Sequence, residues 1–173
     1  MNRLRLVGAG LAAALLAVWG LTGCARSEAS VAPTPGRAVK ALDLPGLPAD
    51  LLGLRLAREN VGDDLARVPK AYVDALSLWS LRRDDLVMAT LQVSRFNAGA
   101  AVATDTFRKT VVNQIGATAP RPVRLGADTV YLTTGTKQSI AVWFKGRDLF
   151  VLTTRADYDR PRTLLRRALE IQP

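Results

Sequence analysis

Two hydrophobic periods alternate along residues 49–173 and divide that stretch into strands and helices. In Leu51 to Glu59 the apolar residues Leu52, Leu54 and Leu56 fall on every second position, which predicts a first strand. Asn60 to Pro69, around Gly62, Asp63 and Asp64, reads as a turn or short helix. Asp74 to Leu81 and Leu86 to Phe96 are two longer strands, joined into a hairpin by the polar turn Arg82 to Asp85. The period then lengthens. Phe107, Val111 and Ile115 lie four apart, Val112 joins them, Thr104 stands where an N-cap belongs and Gly116 where the chain must stop, so an amphipathic helix is predicted. Pro120 and Pro122 extend the chain again. Val123 to Leu125, Thr129 to Thr134, Ser139 to Phe144 and Leu149 to Arg155 follow as a meander punctuated by Gly126, Gly135 and Gly146. Asp159 ahead of Pro161 opens a last helix, with Leu164, Leu165, Ala168 and Leu169 opposite Arg162, Arg166 and Arg167.

This order predicts an α+β domain: a two-layer sandwich with one antiparallel sheet of hairpins and both helices packed on one face. Hairpin followed by helix occurs twice, and a shift of 64 positions brings Trp79 onto Trp143, Arg83 onto Arg147 and Asp84 onto Asp148. Either a ββα unit was duplicated or the same hairpin chemistry was used twice.

The N-terminus follows another pattern. Arg3 and Arg5 precede an apolar stretch from Leu6 to Leu21, short for a membrane span and about the length of a signal sequence. Leu21-Thr22-Gly23-Cys24 closes it, and this arrangement resembles the lipobox of bacterial lipoproteins. The resemblance implies residues 1–23 as a signal peptide, cleavage between Gly23 and Cys24, and a diacylglyceryl group, with palmitate-type acyl chains, on the Cys24 thiol. It also implies a cell-membrane, outward-facing location. An ordinary secretory signal containing a cysteine and an uncleaved anchor are the alternatives. Residues 24–48, with Ser27, Ser30, Pro33, Pro35, Gly36, Pro45, Gly46 and Pro48, read as a flexible tether ahead of a single domain, 49–173.

Composition removes much chemistry. The chain has no histidine and Cys24 is its one cysteine, so lipidation leaves neither an imidazole base nor a thiolate, and no disulfide. There is no glycine-rich phosphate loop and no metal-ligand spacing, so no cofactor and no metal are expected. Three aspartate pairs remain for a hydrolase: Asp63 with Asp64, Asp84 with Asp85, and Asp157 with Asp159. Turn composition and helix capping account for them more simply.

Loss of Arg3 and Arg5 leaves 22 basic against 15 acidic residues, a balance of +7 that favours acidic surfaces. Anionic headgroups are the nearest such surface for an anchored protein, and nucleic acid is not an expected partner outside the cytoplasm. Because Trp143 and Phe144 point to opposite faces of one strand, an aromatic and basic contact surface of Trp79, Trp143, Lys145 and Arg147 is the candidate site. The functional expectation is a non-enzymatic envelope lipoprotein that binds or scaffolds an envelope protein, lipid or glycan. A carrier of a lipid or other apolar ligand, needing a cavity of at least about 300 Å³ between sheet and helices, is the alternative, and an aspartate-dependent hydrolase ranks last.

Overall fold

The computed structural model describes residues 39–61, 70–116 and 119–172. Three short strands, β1 (Lys40–Ala41), β2 (Asp50–Leu51) and β3 (Leu54–Glu59), precede the long pair β4 (Val73–Arg83) and β5 (Leu86–Phe96). After α1 (Asp105–Ile115) come β6 (Arg121–Leu125), β7 (Asp128–Thr134), β8 (Gln138–Lys145) and β9 (Asp148–Arg155), and α2 (Pro161–Leu169) ends the fold. The strands form one sheet in the order β2-β3-β4-β5-β9-β8-β7-β6, with antiparallel neighbours along that path and β1 parallel beside β4. The class is α+β, built on a mostly antiparallel sheet.

The helices lie on opposite faces of the sheet, not on one. Val142 and Trp143 are successive residues of β8 and so point to opposite sides. Trp143 packs with Phe150, Leu91, Leu81 and the α2 residues Leu164, Leu165 and Ala168. Val142 packs with Phe96, Leu149, Val151 and the α1 residues Val111, Val112 and Ile115. The arrangement is therefore helix, sheet, helix. Its cause is legible in the central strands: β9 runs Leu149-Phe150-Val151-Leu152, all buried, and a strand apolar on both sides needs cover on both.

The geometry does not confirm a duplicated unit. Arg83 is the last residue of β4 and pairs with Leu86 across the Asp84-Asp85 turn, whereas Arg147 lies inside the turn that Lys145 and Asp148 close. Met88 adds a bulge, since Leu81 faces Ala89 while Arg82 faces Val87, and β8–β9 pair without one. Antiparallel β5 and β9 are neighbours, so equivalent ββα units related by the two-fold between them would place both helices on one face. They do not.

Other local expectations shift as well. The first predicted strand is broken by a tight turn with Leu52 at φ +57° and Gly53 at φ +79°, closed by the Leu51/Leu54 pair. Holding leucine in the left-handed region costs about 1 kcal/mol. Lys40 to Leu47, placed by sequence in the tether, belongs to the domain: Leu42 and Leu44 are buried under α2, and the Leu42 amide donates to the Leu76 carbonyl. Arg58 fastens this segment by donating to Asp43 Oδ1 at 3.0 Å and to the Leu42 carbonyl at 2.9 Å. Thr104 caps α1 as expected, its Oγ1 accepting from the Phe107 amide. Asp159 does not cap α2; it pairs with Arg83 at 3.3 Å, and the N-cap residue is Arg160, with no side-chain bond to the helix. Asp63 and Asp64, like Gly23 and Cys24, lie outside the described residues. Among the described residues no helix is long and apolar enough to cross a membrane.

Candidate functional site

The four residues chosen from sequence do not form a surface. Trp143 is fully buried and Trp79 is 7 % exposed, both on the α2 side. The Trp143 ring stacks on Phe150 with centroids 5.2 Å apart, and the Arg58 guanidinium covers Trp79 at 6.0 Å. Lys145 is half-buried, and its Nζ donates to the Leu169 carbonyl and, at 2.9 Å, to the Ile171 carbonyl. A cation on the free carbonyls at a helix C-terminus is a structural cap, because those groups carry the negative end of the helix dipole. Only Arg147 is exposed, in the β8–β9 turn. The expected contact surface is thus corrected to a core pair, a helix cap and one turn residue.

The carboxylates are held by arginines or stand in the open. Asp157 accepts two bonds from Arg155, at 2.8 and 2.6 Å, and that guanidinium holds its carboxyl below the usual aspartate range. A catalytic acid needs the opposite displacement. Asp159 pairs with Arg83, and Asp84 and Asp85 line an open hollow of about 340 Å³ with Asp50, Arg55 and Arg82. Among the described residues no group of three or more acidic, histidine or cysteine side chains is placed to hold a metal ion. Asp148, one residue past the β8–β9 turn, is buried and bound by Arg95 through both oxygens at 2.8 Å, which ties β5 to β9 and holds the guanidinium more firmly protonated.

A further concave feature lies on the other face of the sheet, where α1 covers only part of the central strands. A cleft of about 200 Å³ opens beside Ile115, the last residue of α1. Its floor crosses four adjacent strands, with Leu78 of β4 facing Gln92 of β5, Gln92 facing Val151 of β9, and Thr153 of β9 facing Ile140 of β8. Thr90 and Thr153 are themselves a cross-strand pair, and Gln138 stands at the rim. Threonine suits these positions because a β-branched side chain fits the pleated sheet while its hydroxyl stays available.

The polar groups here are largely unused. Gln92 Nε2 donates to Ser94 Oγ at 3.3 Å, but the hydroxyls of Thr90 and Thr153 and the Gln138 amide have no hydrogen-bond partner among the described residues. Among the described residues no side chain lining the cleft is ionisable. The last turn of α1 contains no basic residue of its own. Donors and acceptors without net charge, over an aliphatic floor of Leu78, Ile140 and Val151, suit an uncharged ligand with hydroxyl or amide groups. Sequence reasoning missed this site because its members read as ordinary strand residues and, in Ile115, the apolar end of a helix; the signal available was Thr90-Leu91-Gln92 and Leu152-Thr153-Thr154, polar residues recurring within otherwise buried strands.

No protein-family profile, curated protein or solved structure matches this chain.

Proposed function

We propose that the chain is an exported lipoprotein, anchored to the outer side of a bacterial cell membrane through Cys24, whose domain binds a small uncharged ligand without acting on it chemically. The anchor reading rests on the basic and apolar N-terminus ending in Leu21-Thr22-Gly23-Cys24. The binding reading rests on one observation above all: a cleft whose described lining side chains are all uncharged, with threonine hydroxyls and a glutamine amide that have no hydrogen-bond partner among the described residues. At about 200 Å³ it has room for one ring such as a neutral sugar, and it lies below the roughly 300 Å³ where drug-sized pockets begin. The same volume argues against a carrier of long apolar ligands, as does the second cleft, also about 200 Å³, beside the first turn of α2. A neutral glycan unit is the occupant that this chemistry favours.

Calorimetry with N-acetylglucosamine, which carries both hydroxyl and amide groups, tests the proposal on the full chain in detergent. Thr90→Val with Thr153→Val removes both hydroxyls at nearly constant volume. With about 1 kcal/mol per neutral hydrogen bond, the pair is expected to weaken binding by about 10-fold to 30-fold. A saturable isotherm unchanged by the double substitution, or no saturable heat at all, contradicts the site. For the anchor, mass spectrometry of the native protein is expected to find a diacylglyceryl-modified Cys24 at the N-terminus; a free thiol within an uncleaved chain contradicts it.

A further inference from the structure

The second cleft, of about 200 Å³, lies between α2 and strands β7 to β9, on the face of the sheet opposite the first. Its floor consists of two rows that run straight across three strands. Leu132, Ala141 and Leu152 are register partners and form an apolar row. Two positions along, and therefore on the same face, Thr134, Ser139 and Thr154 form a row of hydroxyls. Ala141 leaves the depth, since a single methyl group stands there between two leucines. The hydroxyl of buried Thr154 makes only a long bond, 3.4 Å, to the Ser139 carbonyl. Those of Thr134 and Ser139 have no hydrogen-bond partner among the described residues.

From α2, Leu165 and Arg162 complete the lining, and Arg162 is the one ionisable residue among the described members. Its neighbours Arg155, Arg160 and Arg167 are each paired with a carboxylate, whereas Arg162 has no ion-pair or hydrogen-bond partner among the described residues. The helix itself gains nothing from a cation here, because Pro161 and Arg162 open α2, where the dipole is positive. An unpaired cation beside hydroxyls and an apolar floor suits an anion with an apolar body. We propose that this cleft binds a small monocarboxylate. The Arg162 guanidinium takes both carboxylate oxygens, the hydroxyl row supplies further donors, and the apolar row takes a ring or short chain. One guanidinium matches one carboxylate in charge and in the planar spacing of its donors. A phosphate dianion would call for a second cation, which the described lining residues do not supply. The site stands on its own residues, whether or not the uncharged cleft takes a sugar.

The test is an NMR titration of the isotopically labelled full chain in detergent with benzoate. Benzamide serves as the uncharged isostere and acetate as the carboxylate without the ring. Saturable shifts are expected at Ala141, Thr154 and Leu165 with benzoate. Benzamide, and benzoate with the Arg162→Gln variant, are each expected to bind about 10-fold to 100-fold more weakly, because a charge-assisted pair of hydrogen bonds is lost. Acetate is expected to bind at least about 10-fold more weakly, because the apolar row is left uncovered. Arg162→Lys is expected to recover part of the loss. Without ligand, Arg162→Gln is expected to keep the wild-type melting temperature or raise it slightly, since a cation leaves the positive end of α2. The proposal is overturned by no saturable shift at these residues, by benzamide or acetate binding as tightly as benzoate, or by inorganic phosphate binding more tightly. It is equally overturned by an affinity indifferent to Arg162→Gln, or by a lowered melting temperature that marks Arg162 as structural. Titration with N-acetylglucosamine reads Thr90 and Thr153 on the opposite face, so either site can fail without the other.

Discussion

The two faces of the sheet are built from the same strands and differ in what they leave free. On the α2 side, Trp143, Phe150, Leu81 and Leu91 are sealed by the helix and by Leu42 and Leu44 in a cluster that runs from β3 to β7, and the second cleft opens only at the first turn of α2, over Leu132, Ala141 and Leu152. On the α1 side, Phe96, Val142, Leu149 and Val151 are sealed, but beyond Ile115 the floor turns to Thr90, Gln92 and Thr153. Packing apolar rings closes a face and supplies stability; half-covered polar residues keep a face open and leave hydrogen bonds for something else. The buried apolar clusters supply the stability of the domain.

The comparison breaks first if Trp143 is dispensable. Trp143→Ala removes a fully buried ring stacked on Phe150 and is expected to lower unfolding free energy by about 3 to 5 kcal/mol in urea titration. A loss under about 1 kcal/mol would mean that the α2 side is not the stabilising face. Lys145→Met keeps the aliphatic stem but removes the ammonium from the end of α2, and a loss of about 1 kcal/mol is expected. Lys145→Arg is expected to recover part of it, which distinguishes charge at the helix end from packing.

Tyr158 sharpens the contrast through pH. Its hydroxyl is buried on the α2 side without a hydrogen-bond partner among the described residues, and burial raises its pKa above the ordinary 10.0. The neutral form is the one that folding favours, so the linked stability is complete below about pH 10 and is lost as the pH rises through the elevated value. Thermal melts from pH 8 to 11 are expected to fall more steeply for the wild type than for Tyr158→Phe. At pH 7 the variant is expected to match the wild type or exceed it by up to about 1 kcal/mol, because an unpaired buried hydroxyl contributes nothing favourable. The smallest effect belongs to the cleft: Thr153→Val is expected to change unfolding free energy by no more than about 0.5 kcal/mol while weakening ligand binding.

Much of the secondary structure was legible because period and punctuation agreed: Thr104 before Phe107 and Val111, Gly116 after Ile115, and Gly146 at the β8–β9 turn fix their elements locally. What escaped is set by the third dimension. Reading Leu149-Phe150-Val151-Leu152 as one buried strand is easy; recognising that it demands two covering layers, and hence opposed helices, requires treating β8 and β9 together. The tryptophans were misjudged for the same reason, since a face assumed to be bare is the one α2 covers. Lys145 looked like part of a basic surface because its partners, the Leu169 and Ile171 carbonyls, lie more than twenty positions away. The cleft was invisible because its chemistry resides in a register, Thr90 opposite Thr153, that no local pattern encodes.

The most direct test of the contrast is residue-resolved NMR of the isotopically labelled full chain in detergent, titrated with N-acetylglucosamine. Saturable shifts are expected at Thr90, Gln92, Gln138 and Thr153, with the Trp143 indole and the Phe150 amide unmoved. Shifts centred on the α2 side, or none that saturate, would contradict the assignment of binding to the half-covered face.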